Sequence, residues 1–276
     1  VAKNLTEKIS LVWRSAGKQC QEIQRIGFAV YLKKNGLDIS RSFEAPKTIK
    51  KNGAVLTCMD ERTPGVFRIS GSGIIFGVDY TVKIIKKASG CGARINAVSW
   101  HKGCGAAKKY AELNGLDKTQ ADKYAQEFAE EVSRKLKEQG ANIAASETKV
   151  LPPKNFHNAI CAYADFTGRF NSGKIKKLPR GFQISAKYHE DKIKNGVGKT
   201  RIKSPAIYDT LLALDIAFNP AGHGFGKRFS PKRPFRIITL CDRKERSQAK
   251  KFQGDLMKIV KTRYGERTVF AFLEIA

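Results

Sequence analysis

The chain has 276 residues, with 52 Lys and Arg against 25 Asp and Glu, for a formal charge of +27. An apolar content of 41% together with 24 glycines excludes general disorder, and the length suits one large domain or two small ones with a real core. Lys or Arg breaks every apolar run before the roughly 20 residues a bilayer span requires, so no membrane span is expected. Val1-Ala2-Lys3-Asn4-Leu5 lacks the apolar stretch of a secretory signal, which makes a cytoplasmic, reducing setting the expectation. Six cysteines are too few for a disulfide scaffold in a chain this long, so free thiols and a metal are expected.

Along the chain, Leu5, Ile9, Val12 and Trp13 recur at helical spacing within an N-terminal arm, residues 1–50. Ala54-Val55-Leu56-Thr57 reads as a buried strand ending at Cys58 and opens a core spanning 51–150. The glycine-rich turn Ser70-Gly71-Ser72-Gly73 precedes a helix over Val78 to Ala88, and Ile95 to Trp100 is the next strand. Strand, helix and strand in that order imply a right-handed parallel crossover. The clearest helix runs from about Thr119 to Gln139, where Ala121, Tyr124, Ala125, Phe128, Val132 and Leu136 form one stripe closed by Gly140. Leu151-Pro152-Pro153 marks a boundary. Beyond it lie strands at 159–164, 235–240 and 269–273 and a helix at 245–264. The expected fold is α/β, with a central, mainly parallel sheet flanked by helices. Residues 151–276 complete it or form a second lobe. No internal repeat is read.

The charge is uneven. Residues 105–150 are balanced, whereas 171–203 carry ten basic and two acidic residues, as do 227–251. Such segments either form a solvated surface or contact RNA or another polyanion. No RNA-recognition or zinc-finger spacing accompanies them.

Both strands of the crossover end in potential ligands: Cys58 within Cys58-Met59-Asp60-Glu61-Arg62, and His101 within His101-Lys102-Gly103-Cys104-Gly105. Carboxyl ends of neighbouring parallel strands converge on one crevice, so Cys58, His101 and Cys104 can meet. Two thiolates and one imidazole suit Zn2+ and leave a fourth tetrahedral position open.

Cys-x-Asp-x-Arg followed by His-x-x-Cys-Gly resembles the β-class carbonic anhydrases, over roughly residues 52–112. Phe67-Arg68-Ile69-Ser70-Gly71-Ser72-Gly73 sits where that family has an Arg-Asn-Ala-Gly-like segment. The resemblance implies a β-carbonic-anhydrase-like fold with zinc held by Cys58, His101 and Cys104, and a catalytic Asp60–Arg62 dyad. It implies reversible hydration of carbon dioxide to bicarbonate by zinc-bound hydroxide, or hydrolysis of carbonyl sulfide or carbon disulfide by a related site. In that chemistry Asp60 accepts the hydroxide proton and Arg62 keeps Asp60 ionised. Were Arg62 to swing away, Asp60 could take the open position. A homodimer is also implied, with the N-terminal helix on the partner, although an intramolecular helix fits Leu5, Ile9 and Trp13 equally well. A zinc-stabilised basic protein that binds a polyanion without catalysis is the alternative. His157 and His189 have no ligand spacing and read as exposed or core-satisfied, while His223, in a glycine-rich loop, is a candidate proton shuttle. Cys20, Cys91, Cys161 and Cys241 read as free thiols.

Overall fold

A computed structural model describes residues 2–43, 53–153, 156–175, 177–189, 204–219 and 224–275. Helix α1 (Ala2–Ile26) buries Ile9, Trp13, Cys20 and Ile23 along one stripe. A turn at Gly27 leads into α2 (Phe28–Lys34). The Trp13 ring lies 4.7 Å from Phe225 and 5.3 Å from Phe229. Arg236 donates from Nη2 to Gln24 at 2.7 Å. The N-terminal helix therefore packs on the second half of its own chain, the intramolecular alternative.

The first half forms an all-parallel sheet from β1 (Ala54–Cys58), β2 (Phe67–Ile69), β3 (Ile95–Trp100) and β4 (Ala144–Glu147), in the order β2-β1-β3-β4. Helices α3 (Val78–Gly90), α4 (Gly105–Leu113) and α5 (Ala121–Glu138) connect and flank it. A short 3-10 turn, Lys118–Gln120, leads into α5, and the Asp117 carboxylate accepts from Thr119 N at its start. The second half has β5 (Cys161–Asp165), β6 (Gly181–Ile184), α6 (Pro205–Phe218), β7 (Phe235–Asp242), α7 (Arg246–Tyr264) and β8 (Thr268–Ile275). Its order is β6-β5-β7-β8, again all parallel.

The fold is α/β, but the expected central sheet is two four-stranded sheets of identical topology. This corrects the reading that no repeat is present. The register exposes the correspondence: Leu56 pairs with Phe67 and Val98, and Ala162 pairs with Phe182 and Ile237. Phe67-Arg68-Ile69-Ser70 and Phe182-Gln183-Ile184-Ser185 thus occupy equivalent places. The sheets meet where β2 faces β6: Ser185 N donates to Arg68 O at 2.8 Å, and Gln183 N to Met59 O at 3.0 Å. One apolar cluster runs through both halves, and a second lies under α1 and α2. Strand alternation divides the second sheet between them: Ala162 and Ala164 face the shared core, while Cys161 and Tyr163 face the helices.

Four elements carry weak sequence signals. Strands β2 and β6 are three and four residues long, too short for an alternation. Helix α4 is a nine-residue helix just after the ligand turn. Helix α6 has no fully exposed residue, so it shows no polar face and no stripe. His223 and residues 190–203 of one basic segment lie outside the described residues. Among the described residues no helix is long and apolar enough to cross a membrane.

Because Trp13 fills the seam between α1 and the Phe225–Phe229 turn, Trp13→Ala is expected to cost about 3 kcal/mol, read as a lower denaturant midpoint in equilibrium unfolding.

Candidate metal centre

Strand β1 delivers Cys58 at its carboxyl end, and β3 ends one residue before His101. The chain then turns through Gly103, whose φ of 72° lies in the left-handed region, and Cys104 follows as the N-cap of α4. All three side chains are buried, and one donor atom from each lies within 4.8 Å of the others. The two sulfurs are 3.9 Å apart, well beyond the ~2.05 Å of a disulfide. Zn–S bonds of about 2.3 Å at a tetrahedral angle separate two sulfurs by roughly 3.8 Å. The cluster therefore fits a zinc ion.

The imidazole is oriented for the same role. His101 Nδ1 faces the Lys102 carbonyl at 3.1 Å, which leaves the proton on Nδ1 and a bare lone pair on Nε2. His101 Nε2 is buried with no hydrogen-bond partner among the described residues, a costly orphan unless a ligand takes it. Hydrogen bonding to Cys104, together with burial, raises the Cys58 thiol well above its usual range. Cys104 is lowered, chiefly by its bond to Cys58 acting against burial. Burial disfavours the His101 imidazolium, but Cys58 and Asp60 outweigh it and raise His101 to about 9. A metal ion must displace these protons to bind.

The Ser70–Gly73 turn supports the first thiol. Gly71 N donates to Cys58 Sγ at 3.3 Å. This requires left-handed backbone at Gly71 (φ 50°) and at Ser72 (φ 57°), and the Ser72 hydroxyl donates to the Ser99 carbonyl. Ser70 N donates to Asp209 Oδ2 on α6 at 3.1 Å, so the second half pins the turn.

Asp60 and Arg62 form a buried, two-pronged pair rather than a surface ion pair. Arg62 Nε donates to Asp60 Oδ1 at 2.8 Å and Nη2 to Oδ2 at 2.5 Å. Asp60 Oδ2 lies 3.9 Å from His101 Nε2, so the dyad borders the ligands. Burial pushes the Asp60 carboxyl up, but the Arg62 hydrogen bonds and neighbouring positive charge outweigh it and hold the group well below its usual range. Arg68, fully buried, donates from Nε to Gly65 O and from Nη1 to Asp60 O, tying the 60–65 loop.

The structure brings all five predicted residues together, with three others that sequence reasoning missed. His157 Nδ1 meets Glu61 Oε2 at 2.9 Å, and His157 Nε2 meets Arg62 Nη2 at 3.4 Å. His157 belongs to the site, a correction to its reading as an unrelated histidine. Its only sequence signal is the Pro152-Pro153 link, which carries the chain back: Leu151 N donates to Arg62 O at 2.8 Å. Glu61 is hidden inside the motif as a variable position, and Asp209 carries no signal within a featureless helix. His189 is buried rather than exposed, with Tyr80 Oη 3.1 Å from its Nδ1 and its Nε2 3.3 Å from Asp209 Oδ2. A cavity of about 370 Å³ reaches the Cys104 turn, lined by Gly103, Gly105, Lys108, His157, Leu212 and Ile216.

Comparison with family models, curated proteins and solved structures finds no match. The carbonic anhydrase resemblance therefore rests on the two sequence motifs alone.

A Cβ at Gly71 would stand 2.6 Å from Ile74 Cγ2 in a left-handed backbone. Gly71→Ala is accordingly expected to weaken metal retention, measured as zinc per chain after dialysis against a chelator. The depressed Asp60 carboxyl sets an acid limit. Its stabilising contribution is complete above its ordinary value of 3.8 and is lost as pH falls through the lower folded value. Asp60→Asn should therefore give a shallower fall of stability below pH 3.8, measured by denaturant unfolding across acid pH.

Proposed function

We propose that this chain is a zinc enzyme that interconverts carbon dioxide and bicarbonate. The observation that carries the reading is a buried Asp–Arg dyad whose carboxylate stands 3.9 Å from the imidazole of a Cys58–His101–Cys104 cluster. Those three residues would hold the ion. Bound zinc supplies a Lewis acid that makes hydroxide available near neutral pH. Two thiolates give a weaker acid than three imidazoles would, so a group that fixes the direction of the proton matters more. Asp60 is that group: both its oxygens are engaged by Arg62, which keeps it ionised and aimed. A structural zinc site is normally closed by a fourth protein ligand. Here the nearest carboxylate is tied to a guanidinium instead, which favours chemistry over scaffolding.

The dyad supports a zinc hydrolytic or hydration site in general, so carbonyl sulfide or carbon disulfide is the neighbouring substrate choice. The polyanion reading is weaker. Residues 227–251 include the buried strand Phe235–Asp242, in which Arg236 is covered and bonded to Gln24, so that basic run is not one continuous surface. Thiolate ligands favour a reducing, cytoplasmic compartment. The homodimer implied by the family has an internal counterpart, because the second half supplies His157, Leu212 and Ile216 to the cavity wall. We infer that the site is complete within one chain.

The purified protein is expected to hold one zinc per chain, not two. By register, Ala164 stands in place of Cys58 and Leu240 in place of His101. Cys104→Ala should lose both metal and carbon dioxide hydration. Asp60→Asn should keep the metal and lose on the order of 10²-fold in kcat. Metal-replete protein inactive from neutral to alkaline pH overturns the substrate, and turnover of carbonyl sulfide by that protein would identify the neighbouring one.

A further inference from the structure

The Asp60–Arg62 pair is held from behind by a buried latch that the carbonic anhydrase resemblance does not include. Glu61 shares a cluster with Asp60 and His157, one donor atom from each lying within 4.8 Å of the others, and it fastens the returning chain: Oε2 meets His157 Nδ1 at 2.9 Å, and Oε1 accepts from Asn158 N at 2.9 Å. The same returning segment carries three acceptors for Arg62. Its Nη1 approaches the carbonyls of Pro153 and Phe156, each at 3.5 Å, and its Nη2 approaches His157 Nε2 at 3.4 Å. A carboxylate can only accept and a guanidinium can only donate. Both ring contacts of His157 are therefore satisfied together when Nδ1 carries the proton and Nε2 is bare. The side chains of Asp60, Glu61 and Arg62 are each 5% exposed or less, and that of His157 is 9% exposed. In so dry a setting a lost partner is not replaced by water.

We propose that the Glu61–His157 pair is a positioning device that keeps Arg62 on Asp60, and so keeps the Asp60 carboxylate turned toward the guanidinium rather than into the gap between Cys58, His101 and Cys104. The inference rests on the reading that this cluster holds a metal ion, but not on the identity of the substrate. Each link is a direct contact: Glu61 fixes the 156–158 segment, that segment fixes the guanidinium, and the guanidinium holds both carboxylate oxygens. Without the latch, Arg62 keeps its charge but loses the His157 acceptor and the fixed position of the segment that carries the Pro153 and Phe156 carbonyls. Asp60, already 3.9 Å from His101 Nε2, is then free to turn inward as a fourth ligand.

The test uses the full-length chain loaded with cobalt(II) and titrated with sodium azide, followed by visible absorption, with metal content measured on the same samples. Azide reports whether the fourth position is free, whatever the natural substrate. His157→Gln retains an amide N–H for Glu61 and an amide oxygen for Arg62, and its azide midpoint should stay within about 3-fold of the parent. His157→Leu should keep one metal per chain yet need at least ~10-fold more azide. Glu61→Gln, which keeps the acceptor for Asn158 N, should shift the midpoint in the same direction if His157→Leu does not fold. An unchanged midpoint in a metal-replete His157→Leu or Glu61→Gln protein overturns the proposal. A parent protein with no azide response overturns it as well, because the carboxylate would already fill the position. Azide binding without carbon dioxide hydration defeats the proposed substrate and leaves the latch standing.

Discussion

The arrangement of the site depends on one buried ion pair. Asp60 and Arg62 lie in surroundings where either charge alone would carry a large desolvation cost, and together they satisfy each other through two parallel hydrogen bonds. Neighbouring groups follow from that requirement. Arg68 is sunk beneath the same loop to hold the Asp60 carbonyl. The Glu61 carboxylate, also buried, needs its own partner and finds His157. The link after β4 returns to the motif, where its carbonyls and imidazole are further acceptors for the guanidinium. A network of this kind is specific because leaving any member unpaired is costly.

The second half of the chain acts as the architectural partner of the first. Its sheet repeats the strand order of the sheet that ends in Cys58, and the two meet through backbone hydrogen bonds from Gln183 to Met59 and from Ser185 to Arg68. Among the described residues only the first half carries the Cys58–His101–Cys104 donor cluster; at the corresponding strand ends of the second, Ala164 and Leu240 join the packed interior. The second half contributes Asp209 to the turn that feeds Cys58, His157 to the dyad, and part of the cavity wall. Helix α1 covers its outer face, which explains why the N-terminal apolar stripe is satisfied within the chain.

Much of the first half was legible from residue order alone. Strands β1 and β3 have compact apolar runs, and α5 has a clean stripe with a cap and a closing glycine. The three ligand candidates stand at strand ends, where parallel topology gathers side chains. The second half was less legible for physical reasons. Helix α6 is apolar around most of its circumference and so lacks the polar face that periodicity detects. The correspondence between the halves lies in strand order and register and in one four-residue echo, Phe67–Ser70 against Phe182–Ser185, while the surrounding residues differ in chemistry.

The linear sequence by itself determined the α/β class, the two short motifs and the donor types a zinc ion would accept, because these depend on local spacing and residue chemistry. Only the tertiary structure decided that the chain is two like sheets joined edge to edge. It alone joined His157 to a motif 95 residues away and Asp209 to the turn beneath Cys58. Those contacts arise from how separate elements pack, and packing at long range leaves no periodic trace in either partner.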